Sequence, residues 1–268
     1  VLKQRIASGL VLAAFILFVV IFLRNSWLAV ALAFIYVPAA REWARLTSLP
    51  SSATRWEYVA VTVVFSISLW LVRDSAFATL WLLAAMIVWM LLLILLANYQ
   101  QEEGQPPRWQ RGLGLLGLLL LTAAWLAFVK LHAIHYAWLL YIMILCGVAD
   151  SMAFFAGKRF GRVKLAPELS PGKTREGMLG GLIGVLIFAL GFGLWWDLST
   201  QQLIPFLLLS LLTGLVSVEG DLFESLIKRE VGVKDSGWIL PGHGGMLDRF
   251  DSHIAAAPIF YIGLNWIL

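Results

Sequence analysis

At 268 residues, 60% hydrophobic and 13% charged, with a mean hydropathy of +0.85, the chain is too apolar for a water-soluble globular domain. Its formal charge of +4 is small and its cations flank the apolar runs, a distribution that suits anionic lipid head groups and gives no reason to expect nucleic acid as a partner. A lone cysteine, Cys146, excludes an internal disulfide and a cysteine-based metal centre, and is read as a packing residue.

Apolar runs able to cross roughly 30 Å of hydrocarbon occur at approximately 6–23, 26–40, 58–72, 76–97, 112–129, 136–157, 177–196, 203–219 and 252–268. Because the apolarity is continuous rather than alternating, these are expected to be helices, and the fold class is all-α, polytopic, with about nine transmembrane helices. No small-x-small cleavage site precedes Arg24, so the first run reads as a span and not as a cleaved leader. With a cytoplasmic N-terminus, seventeen of the twenty lysines and arginines fall on the cytoplasmic side, leaving Arg24, Arg73 and Lys130 outside. Trp27, Trp70, Trp138, Trp195 and Trp196 lie near span ends and read as interfacial anchors.

Three regions follow: N-terminal helices over 1–99, a linker over 100–111 broken by Pro106 and Pro107, and a C-terminal catalytic region over 112–268 with cytoplasmic polar loops at 158–176 and 220–251. The chemistry-bearing residues are expected after the linker. In the sixth run, Asp150 lies eight residues before Lys158, roughly 12 Å deeper if helical. An acid at that depth is either a packing aspartate or a functional one. Ser170, Pro171, Gly172, Lys173 and Thr174 contain a Gly-Lys-Thr triplet, but Pro167 stands where a Walker A loop needs glycine, and no strand is expected ahead of it. What remains is a short basic loop whose ammonium and hydroxyls suit phosphate oxygens.

The longest polar island runs from Gly220 to Ser252. On a helix, Asp221, Glu224, Ser225 and Lys228 share one face, either as a solvated end with a Glu224–Lys228 pair or as an oxygen-rich metal site beside a phosphate-binding cation. A glycine-rich loop follows, and then Asp248, Arg249 and Asp251 open the last run, where one of the two aspartates is expected to cap the helix. Hard oxygen donors and few histidines favour Mg²⁺ over zinc.

The run Ser225, Lys228, Arg229, Lys234, Asp235, Gly237, Pro241, His243, Gly244, Gly245, Asp248, Arg249, Asp251 resembles the signature of the phosphatidate cytidylyltransferases, the CDP-diacylglycerol synthases of bacterial type. Gly220-Asp221, Ala149-Asp150-Ser151 and Ser170 to Thr174 extend the likeness, whereas Glu219 stands where an apolar residue is expected. The resemblance implies a nucleotidyltransferase of phospholipid biosynthesis in the bacterial inner membrane, converting CTP and phosphatidic acid to CDP-diacylglycerol and pyrophosphate at a site facing the cytoplasm. It further implies Mg²⁺, with a second metal ion left open, held among Asp221, Asp248, Asp251, Asp150 and Glu224. Catalytic roles would go to Asp221, Asp248, Lys228, Arg229, Lys234, Asp235 and His243, the last either a phosphate donor or a loop-ordering residue. Ser170, Lys173, Thr174, Ser225, Gly244, Gly245 and Arg249 would bind substrate. A CTP-dependent polyprenol or dolichol kinase and a secondary transporter are the competing readings, the latter disfavoured because the polar residues gather at one interface. A homodimer is compatible with the chain, and nothing in it identifies a protein partner.

Overall fold

Continuous apolar runs leave the backbone no partner but itself in hydrocarbon, and the computed structural model is accordingly built of helices. It describes residues 14, 16–47, 49, 51–97, 112–238 and 244–268. The first expected span is helical over 16–22. Then follow α1 (Asn25–Leu46), α2 (Ser52–Leu71), α3 (Ala76–Ala97), α4 (Leu113–Ile134), α5 (Tyr136–Phe160), β1 (Lys164–Ala166), β2 (Ser170–Thr174), α6 (Arg175–Trp195), α7 (Thr200–Glu230) and α8 (Leu247–Ile267). The expected linker over 100–111 and His243 lie outside the described residues.

Five of these helices, α3 to α7, are long and apolar enough to cross a membrane. The others are interrupted by charge, at Arg41, Glu42 and Arg45 in α1, Arg55 and Glu57 in α2, and Asp248, Arg249 and Asp251 in α8. An all-α membrane protein is thus the architecture. One local departure is the antiparallel β1–β2 hairpin, with Lys164 opposite Thr174 and Ala166 opposite Ser170, in a stretch expected to be loop. Its turn carries Pro167, and buried Leu169 fastens it to the helices.

Helix α4 runs through the centre, buried from Leu120 to Val129. Indole N–H groups tie α1 to it: Trp43 Nε1 donates to the Leu113 carbonyl at 2.8 Å, and Trp125 Nε1 to that of Ala29 at 3.2 Å. Trp27 and Trp195 are exposed, as anchors should be, but Trp138 is only 1% exposed. It packs among Tyr141, Phe192, Phe206 and Phe260, because its position in the first turn of α5 faces α6, α7 and α8. Cys146 is buried and free.

Two close helix crossings position the polar residues. Along α6, Gly177, Gly180, Gly181 and Gly184 lie against Ala149, Met152, Ala153 and Ala156 of α5; a Cβ at Gly177 or Gly181 would stand 2.8 Å from the carbonyl oxygen of Ala153 or Ala149. Small residues at this seam let the backbones approach, as membrane helices do where van der Waals packing drives association. At the second crossing, a Cβ at Gly220 of α7 would meet the Asp251 carbonyl oxygen of α8 at 2.5 Å and the Ala255 Cβ at 2.8 Å. Asp221 and Asp251 therefore lie at a close approach between these helices.

Candidate active site

The α5–α6 seam, the hairpin and the middle of α7 enclose a cavity of about 510 Å³ that brings together Asp150, Ser170, Lys173, Thr174 and Asp221. Three separate segments of the sequence thus meet at one place. Lys173 Nζ lies 2.7 Å from Asp221 Oδ2, and Ser225 Oγ donates to Asp221 Oδ1 at 3.4 Å. Thr174 caps α6, its Oγ1 accepting from Gly177 N at 3.1 Å, which leaves its proton to donate elsewhere. The remaining lining includes Lys158 and Lys164 with Phe154, Leu165, Met178 and Val218, so the cavity has both polar and apolar side chains.

Beyond Asp221 the helical spacing places Glu224 and Lys228 one turn apart, and both are buried. Lys228 Nζ bridges Glu224 Oε2 at 3.0 Å and Asp248 Oδ1 at 2.6 Å. Asp248 Oδ2 accepts from Ser236 N at 3.0 Å, Ser236 Oγ at 2.9 Å and Gly245 N at 2.8 Å. Burial would raise the Asp248 carboxyl, but the Lys228 ammonium and these donors hold it below the usual carboxylate range. Gly244 sits at φ +82°, a conformation that glycine reaches without strain, and this turns the chain onto Asp248.

The expected cap of α8 is not an aspartate. Neither Asp248 nor Asp251 serves; Glu42 of α1 reaches across, accepting from Met246 N at 3.0 Å, Leu247 N at 2.7 Å and Ser236 Oγ at 3.1 Å. Asp248 is instead engaged by Lys228 and the preceding loop. Glu42 is 5% exposed, and Gly237 and Gly245 are packed so closely on its carboxylate that neither position has room for a side chain. Sequence reading missed it because its partners are some two hundred positions away.

Arg229, Lys234, Asp235 and Arg249 are exposed and do not line the 510 Å³ cavity. Glu219 is buried with neither oxygen hydrogen-bonded, on the wall of a separate cavity of about 320 Å³ among Leu93, Leu96 and Leu169. It does not line the cavity of Asp150 and Asp221.

The donor chemistry fits a hard divalent cation: the acids are all oxygen donors, and among the described residues buried Glu224 Oε1 receives no hydrogen bond from an N–H or hydroxyl donor, with the Asp251 carboxyl beside Glu224. Among the described residues no three His, Cys, Asp or Glu side chains converge in metal-holding geometry. Lysines neutralise the carboxylates instead, Lys173 at Asp221 and Lys228 at Glu224 and Asp248.

Comparison with known proteins gives the family. The profile of the cytidylyltransferase family matches residues 3–267. A phosphatidate cytidylyltransferase of Pseudomonas aeruginosa is 40% identical over 262 residues, covering 97% of this chain and 95% of the relative. One from Haemophilus influenzae is 36% identical over 284 residues, with 97% of each chain covered. One from Bacillus subtilis is 46% identical over 140 residues, half of this chain and 51% of its own. The chain belongs to the cytidylyltransferase family and is a nucleotidyltransferase.

Proposed function

We propose that the chain transfers the cytidylyl group of CTP to phosphatidic acid, giving CDP-diacylglycerol and pyrophosphate. The observation that carries this reading is the cavity lined both by Asp150, Lys173 and Asp221 and by apolar side chains such as Phe154, Leu165 and Met178. Such a cavity suits a lipid with an anionic head. An oxygen of the lipid phosphate attacks the α-phosphorus, the bond from that phosphorus to the bridging oxygen of the β-phosphate breaks, and pyrophosphate leaves with the electron pair. The attacking oxygen is already anionic, so no base is needed, and the work is to bring two polyanions together in line.

Lys173 suits the lipid phosphate. Its ion pair with Asp221 is only partly buried, so the ammonium can turn from carboxylate to phosphate, freeing Asp221. Ser170 and Thr174 add hydroxyl donors. Lys228 holds Asp248 and Glu224 in place, and Ser236 with Gly245 fixes the second Asp248 oxygen. Asp221, Glu224, Asp248, Asp251 and Asp150 are the residues that would hold Mg²⁺, one ion or two. When bound, it neutralises phosphate charge and orients the oxygens.

The wider setting belongs to the same reading: about nine spans in the bacterial inner membrane, an active site on the cytoplasmic face where CTP is found, and a homodimer. Production of CDP-diacylglycerol by purified protein from CTP, phosphatidic acid and Mg²⁺ tests it. Folded protein that makes none would refute it.

A further inference from the structure

A second cavity, of about 280 Å³, is lined by Arg41, Arg45 and Arg55 with Glu42, Ser236, Gly237 and Trp238. Arg41 and Arg45 lie one turn apart on α1, and Arg55 comes from the first turns of α2. Among the described residues none of the three is paired with a carboxylate across the cavity, since the one acid there, Glu42, is engaged by the α8 amides and Ser236. Three guanidinium groups outnumber the single carboxylate of Glu42 around this small cavity, so a further anion is favoured there.

The side chains are nevertheless held in place. Arg41 stacks on the Trp56 ring at 4.8 Å, a cation–π contact. Arg55 donates Nε to the Leu49 carbonyl at 3.1 Å, so its two terminal nitrogens remain for a ligand. Planar guanidinium forks match the oxygens of a phosphate, which is where arginine outperforms lysine. The volume is a little below the roughly 300–1,000 Å³ of sites that enclose whole small molecules, so part of a ligand fits and a complete nucleotide does not.

We propose that Arg41, Arg45 and Arg55, together with the Ser236–Gly237 turn, form a phosphate-binding pocket separate from the cavity of Asp150, Lys173 and Asp221. Its ligand is a phosphoryl group, delivered either by a soluble polyphosphate or by the head group of an anionic membrane lipid. Dispersed interfacial cations would bind such lipids without a pocket. Here two helices and the turn that holds Asp248 converge on one space. Ser236 Oγ stands 3.1 Å from Glu42 Oε2 and 2.9 Å from Asp248 Oδ2 with one proton to give to either, so this side chain links the pocket lining to Asp248.

The test is direct binding, and so does not require transfer activity. The full chain in phosphatidylcholine nanodiscs is titrated with inorganic pyrophosphate, and then phosphatidylglycerol is titrated into the nanodisc and its association measured by native mass spectrometry. Arg45→Gln and Arg55→Gln are compared with wild type, with thermal melts as a check on folding. Arg45→Lys keeps the charge but loses the fork, and serves where the glutamine variants melt early. About tenfold weaker binding of one probe, with intermediate loss in Arg45→Lys, is expected from removing a charge-assisted contact. Loss confined to pyrophosphate assigns the pocket to a soluble polyphosphate, and loss confined to phosphatidylglycerol assigns it to a lipid head. Wild-type binding of both probes by folded variants, or no binding of either by wild type, overturns the proposal. An inactive chain that still loses pyrophosphate affinity in these variants would refute the transfer reading and leave the pocket standing.

Discussion

Glu42 accepts the backbone N–H of Leu247 at 2.7 Å, joining the polar end of α1 to the first turn of α8 across 205 positions. The same carboxylate takes Met246 N and Ser236 Oγ, so one side chain sets where Asp248 stands. Glu42→Ala leaves these buried donors unsatisfied, at about 1–3 kcal/mol for each group. A clear drop in melting temperature and a fall in kcat are expected, with Glu42→Gln intermediate because it keeps one acceptor. Wild-type melting and turnover in Glu42→Ala would show that α8 does not need this anchor.

Lys228 neutralises two carboxylates at once, those of Glu224 and Asp248. Its removal as Lys228→Met should destabilise the protein by about 3–5 kcal/mol, the cost of leaving buried charge uncompensated. Adding Glu224→Gln should restore part of the stability but not the activity, and chemical denaturation of both variants with parallel turnover assays measures the difference. If the double variant is as unstable as the single one, the Glu224–Lys228 pair is not the source of the loss.

Asp248→Asn should abolish turnover while leaving membrane insertion intact. Its carboxyl is held below its ordinary value, so the stability it adds is complete above the unfolded carboxylate value of about 3.9 and is lost as pH falls through the lower folded value. The stability gap between wild type and Asp248→Asn should therefore be widest near neutrality and close in acid. A gap that is constant with pH would mean that the Asp248 charge is not what the surrounding donors stabilise.

Gly220 provides a packing test. Gly220→Ala forces α8 away from α7 beside Asp221 and Asp251, and activity should fall by more than about tenfold, as small displacements of positioned groups do. Gly147→Ala, where a Cβ meets nothing within 4 Å, should behave as wild type. Equal activity in the two alanine variants would mean that the crossing tolerates expansion.

Much of this site is legible in the linear chain, for physical reasons. Helical periodicity is local, so the common face of Asp221, Ser225 and Lys228 can be counted out, and the Asp221–Ser225 and Glu224–Lys228 contacts follow it. Asp150 is conspicuous because an acid inside an apolar run is costly. Lys173 can be singled out as a phosphate donor, but not as the partner of Asp221, since that contact depends on how the hairpin folds back. Glu42 and the arginines beside it carry no motif in the linear chain, and only the tertiary approach of α8 gives Glu42 its partners. The hairpin is hidden because its strands are three and five residues long, too short for an alternating pattern. Trp138 misleads for a similar reason: a residue's place near a span end says nothing about which side faces neighbouring helices.

The most direct test of the transfer reading follows two labels on CTP. Purified, folded protein is given Mg²⁺, phosphatidic acid and CTP labelled separately at the α and γ phosphates, with a polyprenol in a parallel reaction. The account predicts α label in the lipid fraction as CDP-diacylglycerol and γ label released as pyrophosphate. Transfer of γ label to the polyprenol, or retention of both labels in CTP, would contradict it.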